Sequence, residues 1–160
     1  LLRDYNHINP EEKVIAPIVP ETTSYPFAVK HEDFSYSKND NFNFNISNFN
    51  FLEPLSNNVQ DGIANLKSYL DLNPNTVLNV IGYFKDNETN NSAFPNLGIA
   101  RANAVKNYLV SNGISSTQLN ISGKLMAEMV PKENIFLGPI GYNLGLGEDN
   151  TEEMTAFMKK

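Results

Sequence analysis

The stretch that most narrows what this chain can become is "TVLNVIGYF", residues 76–84. It is rich in β-branched and aromatic residues, and its apolar side chains fall on both parities. A strand that turns apolar groups to both sides must be covered on both sides, which predicts a central strand. The flanking patterns supply cover. Residues 56–72 place Val59, Ile63, Leu66, Tyr69 and Leu70 at three- and four-residue spacing, which predicts a helix. Ser56 is its candidate N-cap, and Asn73-Pro74 its stop. A second amphipathic helix is predicted over 96–112, within "NLGIARANAVKNYLVSNGI". Asn96 is its candidate N-cap, and Asn112-Gly113 its left-handed stop.

Three further segments read as strands. In "NFNFNISNFNF", residues 41–51, Phe42, Phe44 and Ile46 share one parity while Phe49 and Phe51 share the other, so a bulge or bend is expected at Ser47-Asn48. A third strand is expected over 117–123, with Leu119 and Ile121 inward. "NIFLGPIGYNLGLG", residues 134–147, is an edge strand or a loop, because Pro139 and the glycines suit little else. The order β-α-β-α-β predicts an α+β fold, a two-layer sandwich with a mixed sheet and both helices on one face. Pro10, Pro17, Pro20 and Pro26 break up residues 1–33, which read as an irregular arm or linker. The domain is expected over 34–147, and 148–160 as the start of a C-terminal extension of a longer protein.

Composition excludes several functions. The formal net charge is -6, which argues against nucleic acid as a partner, since phosphate binding needs a basic surface. The absence of cysteine rules out disulfides and thiolate zinc sites. His7 and His31 are far apart in sequence, and no metal or cofactor is expected. Glycine-rich phosphate loops and serine-nucleophile motifs are absent, so no enzymatic activity is expected.

One residue of the second helix breaks its pattern. Leu97, Ala104, Val105, Tyr108 and Leu109 form the apolar stripe, and Arg101 sits inside it. Either Arg101 snorkels along the edge of the stripe to water, or it faces a pocket near the end of the sheet and pairs with an anion. A buried charge left alone costs about 3–5 kcal/mol, so the second case demands a partner. Asp86 and Glu88, in the loop before the helix, are the candidates.

These residues, taken in order, resemble a known family. Gly82-Tyr83 ends a strand, an acidic loop follows, and Leu97 opens a helix that runs Arg101-Ala102-x-x-Val105-x-x-Tyr108-Leu109. Gly113-Ile114 and a strand reaching Gly123 complete a pattern similar to the OmpA-like domain over about residues 42–125. The resemblance implies a peptidoglycan-binding module of the periplasm, associated with the outer membrane. It implies that Arg101 and Asp86 grip the diaminopimelate of the stem peptide, with the helix start at Asn96 and Leu97 beside them. A guanidinium fork would read the ligand's carboxylate and an acid its ammonium. Asp86 is favoured over Lys85, which stands at the aspartate's usual position. Other departures are Phe94 in place of an asparagine, Gly98 in place of a serine, and a final segment lacking the usual Asn-Arg-Arg. They leave a second possibility: a decayed module that serves as a scaffold against a neighbouring domain. Were Arg101 a ligand residue, its replacement by alanine would leave stability nearly unchanged; as a structural ion pair, it would not.

Overall fold

The computed structural model describes residues 21–147. The elements in chain order are β1 (Phe27–His31), β2 (Phe34–Lys38), β3 (Asn43–Asn45), α1 (Asn57–Leu72), β4 (Thr76–Phe84), α2 (Leu97–Ser111), a 3-10 turn (Ser116–Gln118), β5 (Leu119–Leu125), β6 (Ile135–Leu137) and β7 (Ile140–Leu146). The fold is α+β with a mixed sheet.

β4 is central, as its two-sided apolar pattern requires. β5 pairs with it in parallel and β7 antiparallel, in the order β5-β4-β7. Leu78 and Val80, alternate residues of β4, share one core cluster with Val59, Ile63, Leu66 and Leu70 of α1 and with Ala102, Val105 and Leu109 of α2. Both helices therefore build the core on one face of the sheet. Each helix is closed by its expected cap. Ser56 accepts from the Val59 N–H and Asn96 from the Ile99 N–H.

The start of α2 lies almost on the sheet. A Cβ added to Gly98 would sit 2.3 Å from the Gly82 carbonyl oxygen, and one added to Gly82 would sit 1.8 Å from the Gly98 oxygen. Gly82 pairs in register with Gly123 of β5. Glycine at these positions lets helix and strand backbones touch. That explains Gly98 where the related pattern carries serine.

Three expectations need correction. Residues 41–51 are not one strand. β3 covers only Asn43–Asn45, Ser47 takes a positive φ of 61°, and the chain folds back so that Phe44 bridges Phe51 antiparallel. The two parities of phenylalanine thus belong to two legs of a turn, and Phe51 packs against both Phe42 and Phe44. β3 also stands outside the main sheet, pairing with β6. Finally, residues 27–31, expected within an irregular arm, form a strand hairpinned to β2. Phe27 is 0% exposed and stacks on Tyr142 of β7, so this hairpin belongs to the core. Residues 1–20 and the segment 148–160 lie outside the described residues, as does His7.

Candidate functional site

Arg101 points inward from the middle of α2 and is 0% exposed. Its guanidinium meets Glu88, whose side chain is just as deeply buried. Nη2 donates to Oε2 at 2.5 Å and Nη1 to Oε1 at 3.0 Å, a parallel two-bond fork. The rest of the guanidinium is also engaged. Nε donates to the Asn48 carbonyl at 2.9 Å, Nη1 to the Tyr83 carbonyl at 2.9 Å and Nη2 to the Asn45 carbonyl at 3.3 Å. A guanidinium has five N–H groups, and these contacts use them all.

Glu88 is equally complete. Its Oε2 accepts from the Ser47 N–H and its Oε1 from the Lys85 N–H, both at 2.8 Å. Each oxygen thus receives one guanidinium N–H and one backbone N–H. The Phe44 and Phe136 rings lie 5.4 and 5.6 Å from the Arg101 Cζ. These two residues face each other in the β3–β6 register, so that small sheet screens the pair from water.

The local chain explains the choice of acid. β4 ends at Phe84, and a turn closes with the Glu88 N–H donating to the Lys85 carbonyl at 3.2 Å. The turn carries Asp86 out and Glu88 back under the sheet's end. Asp86 is exposed, and no hydrogen bond or ion pair of its carboxylate occurs among the described residues. Of the two acids named from sequence, Glu88 meets Arg101. Lys85 reaches away, donating from Nζ to the Met129 carbonyl at 2.8 Å. Asn96 spends its side-chain oxygen on the Ile99 N–H at 2.9 Å, and Leu97 is 2% exposed in the core. Neither touches the guanidinium through a hydrogen bond. Among the described residues the Arg101 side chain has no exposure to solvent. The Ser47 N–H, the Lys85 N–H and the Phe136 ring were not singled out from sequence, because only folding brings them to the arginine.

A second polar centre lies under β7. The buried Asn41 donates from Nδ2 to the Ile140 carbonyl at 2.9 Å, with the Gly138, Tyr25 and Pro26 carbonyls at 3.3–3.4 Å. Its Oδ1 accepts from the Phe42 N–H at 2.9 Å and the Tyr142 hydroxyl at 2.7 Å. Burial, then the nearby Tyr83, raises the Tyr142 phenol well above its usual value of 10.0. This centre ties loop carbonyls together.

Among the described residues, no cluster of three or more His, Cys, Asp or Glu could hold a metal ion, and no helix is long and apolar enough to cross a membrane. No curated protein matches the chain. Several solved structures are similar at low identity, and three of them illustrate the likeness. The OmpA-like domain of FopA1 from Francisella tularensis is 15% identical, covering 78% of this chain and 83% of its own, with a TM-score of 0.48. The peptidoglycan-associated lipoprotein from Burkholderia pseudomallei is 18% identical over 64% of this chain and 86% of its own, with a TM-score of 0.46. The periplasmic domain of Helicobacter pylori MotB is 14% identical over 79% and 88%, with a TM-score of 0.45. The family model described as "OmpA family" matches residues 43–134, more than half of the chain, and this span carries both Glu88 and Arg101. The chain belongs to the OmpA family.

Proposed function

We propose that this OmpA-family chain is a non-catalytic module of the bacterial cell envelope, on the periplasmic side. It works through contacts with a neighbouring domain or subunit and does not clamp diaminopimelate with Arg101. The observation that carries this reading is the saturation of Arg101: every N–H is taken, and the acid that takes two of them is buried with it. A clamp needs donors free to meet a ligand, and this fork has none. Sedimentation with insoluble peptidoglycan sacculi tests the reading. The chain is expected to stay in the supernatant. Pelleting that a free diaminopimelate stem peptide competes away would overturn it.

One observation favours a second reading, in which the chain binds peptidoglycan by its stem peptide. Asp86 presents an exposed carboxylate without a partner among the described residues, two positions from Glu88. In that reading Asp86 takes the ligand's ammonium, Arg101 its carboxylate, and the helix start at Asn96 and Leu97 lines the site. It requires Glu88 to leave the guanidinium first.

A further inference from the structure

The end of α2 combines a reactive sequence with an exposed position. Asn112-Gly113 is the chain's one Asn-Gly step. Asparagine loses its amide most readily before glycine, because glycine puts no side chain beside the attacking backbone nitrogen. The fold demands the glycine. Gly113 takes a φ of 100°, and a Cβ on it would lie 2.5 Å from the Lys67 Cε. Both residues of the step are exposed to water.

The same turn holds the step unreactive. The Gly113 N–H donates to the Val110 carbonyl at 2.9 Å and the Ile114 N–H to the Leu109 carbonyl at 3.1 Å, the paired bonds of a Schellman end. Leu109 and Ile114 are both buried in the core cluster, which latches the turn. The Asn112 amide donates from Nδ2 to the Tyr108 carbonyl at 2.8 Å. Reaction requires the Gly113 nitrogen to swing round to the Cβ side of Asn112 and close a five-membered ring. At an Asn112 ψ of 11° that nitrogen is turned away from Cβ. The turn must open first.

We infer that Asn112 is a latent deamidation site, gated by local opening of the α2 end, and that its reaction prevents the end from closing as before. Once the turn opens, the Gly113 nitrogen attacks the Asn112 Cγ. The N–Cγ bond forms, the Cγ–Nδ2 bond breaks, and ammonia leaves with the proton that the Gly113 nitrogen gives up. Water then opens the cyclic imide at one of its two carbonyls, leaving an aspartate or an isoaspartate. The first puts a negative charge at the negative end of the helix and removes the donor to the Tyr108 carbonyl. The second adds a methylene to the main chain inside the turn. The inference goes beyond the scaffold reading and does not depend on it.

The test ages the chain in mildly alkaline buffer, folded and in urea, and maps the tryptic peptide 107–124 by mass spectrometry. That peptide holds Asn107, Asn112 and Asn120, so two asparagines serve as internal controls. Asn112 is expected to react first in urea, and at least about tenfold more slowly in the folded chain. Ile114→Ala weakens the latch and should reduce that protection by about threefold or more, while Val59→Ala, in α1, leaves it near the wild-type value. Should Ile114→Ala fail to fold, Ile114→Val takes its place. The deamidated wild type, separated by charge, should melt roughly 2–6 °C below the fresh protein. The inference is overturned by equal rates in buffer and urea, by a loss of protection as large in Val59→Ala as in the Ile114 variant, by no loss in the Ile114 variant, or by an unchanged Tm after deamidation.

Discussion

Replacing Arg101 with methionine separates a structural arginine from a ligand-binding one. Methionine keeps much of the apolar stem and removes the fork. The Glu88 carboxylate then stays buried with two backbone donors and no counter-charge, and the Asn45, Asn48 and Tyr83 carbonyls each lose a donor. Stripping one partner from a buried ion pair costs about 3–5 kcal/mol. The carbonyls cannot simply be added at about 1–3 kcal/mol each, because water entering the vacated volume answers part of their need. We expect a loss of about 3–5 kcal/mol, roughly a fifth or more of the stability of an ordinary domain. In urea, with an m-value of about 1.5–2 kcal/mol/M, the midpoint should fall by roughly 1.5–3 M. Arg101→Met combined with Glu88→Leu should recover part of the loss, since no charge is then stranded, though three carbonyls and two N–H groups remain unpaired. A loss below about 1 kcal/mol in the single variant, the range of an exposed pair, would refute the buried-knot account.

Other consequences are open to direct measurement. Asn41→Ala should cost about 2–4 kcal/mol in urea titration, because it orphans a cluster of buried carbonyls along with the Tyr142 hydroxyl; a cost below about 0.5 kcal/mol would contradict that role. Gly98→Ala should yield little folded protein by circular dichroism, since its Cβ meets the Gly82 carbonyl at 2.3 Å and neither backbone can retreat; a soluble variant with wild-type Tm would show the contact to be looser. Stability should be level up to about pH 9 and fall as the pH climbs past 10, because the unfolded Tyr142 phenol ionises there while the folded one, raised by burial, holds its proton. Tyr142→Phe should flatten part of that fall, and an unchanged slope would mean that Tyr142 is not its source.

The helices and the central strand were legible because their signals are local. Periodicity and caps mark α1 and α2 to within a residue, and the double-sided apolar run marks β4 along its whole length. Phe27 and Val29 carried an alternating signal too, but the prolines before them suggested an arm; Phe34 and Tyr36, beyond the turn at Glu32-Asp33, fell inside the expected domain without being read as a strand. The 41–51 segment misled for a different reason. A change of parity fits a bulge and a reversal equally well, and only the pairing of Phe44 with Phe51 decides between them. At the site, the burial of Arg101 and its need for an acid could be read from its place in the stripe. Which acid it meets could not, because strand alternation ends at Phe84 and the turn beyond it sets which side chain comes back.

The central claim is that Glu88 holds the Arg101 fork and leaves no clamp for a stem peptide. Isothermal titration of a diaminopimelate-containing stem peptide into the wild-type chain tests it most directly. The account predicts no saturable heat. Saturable binding that Asp86→Asn weakens, while the fold is unchanged by circular dichroism, would contradict it, because the ligand would then be reaching a site that Glu88 is said to close.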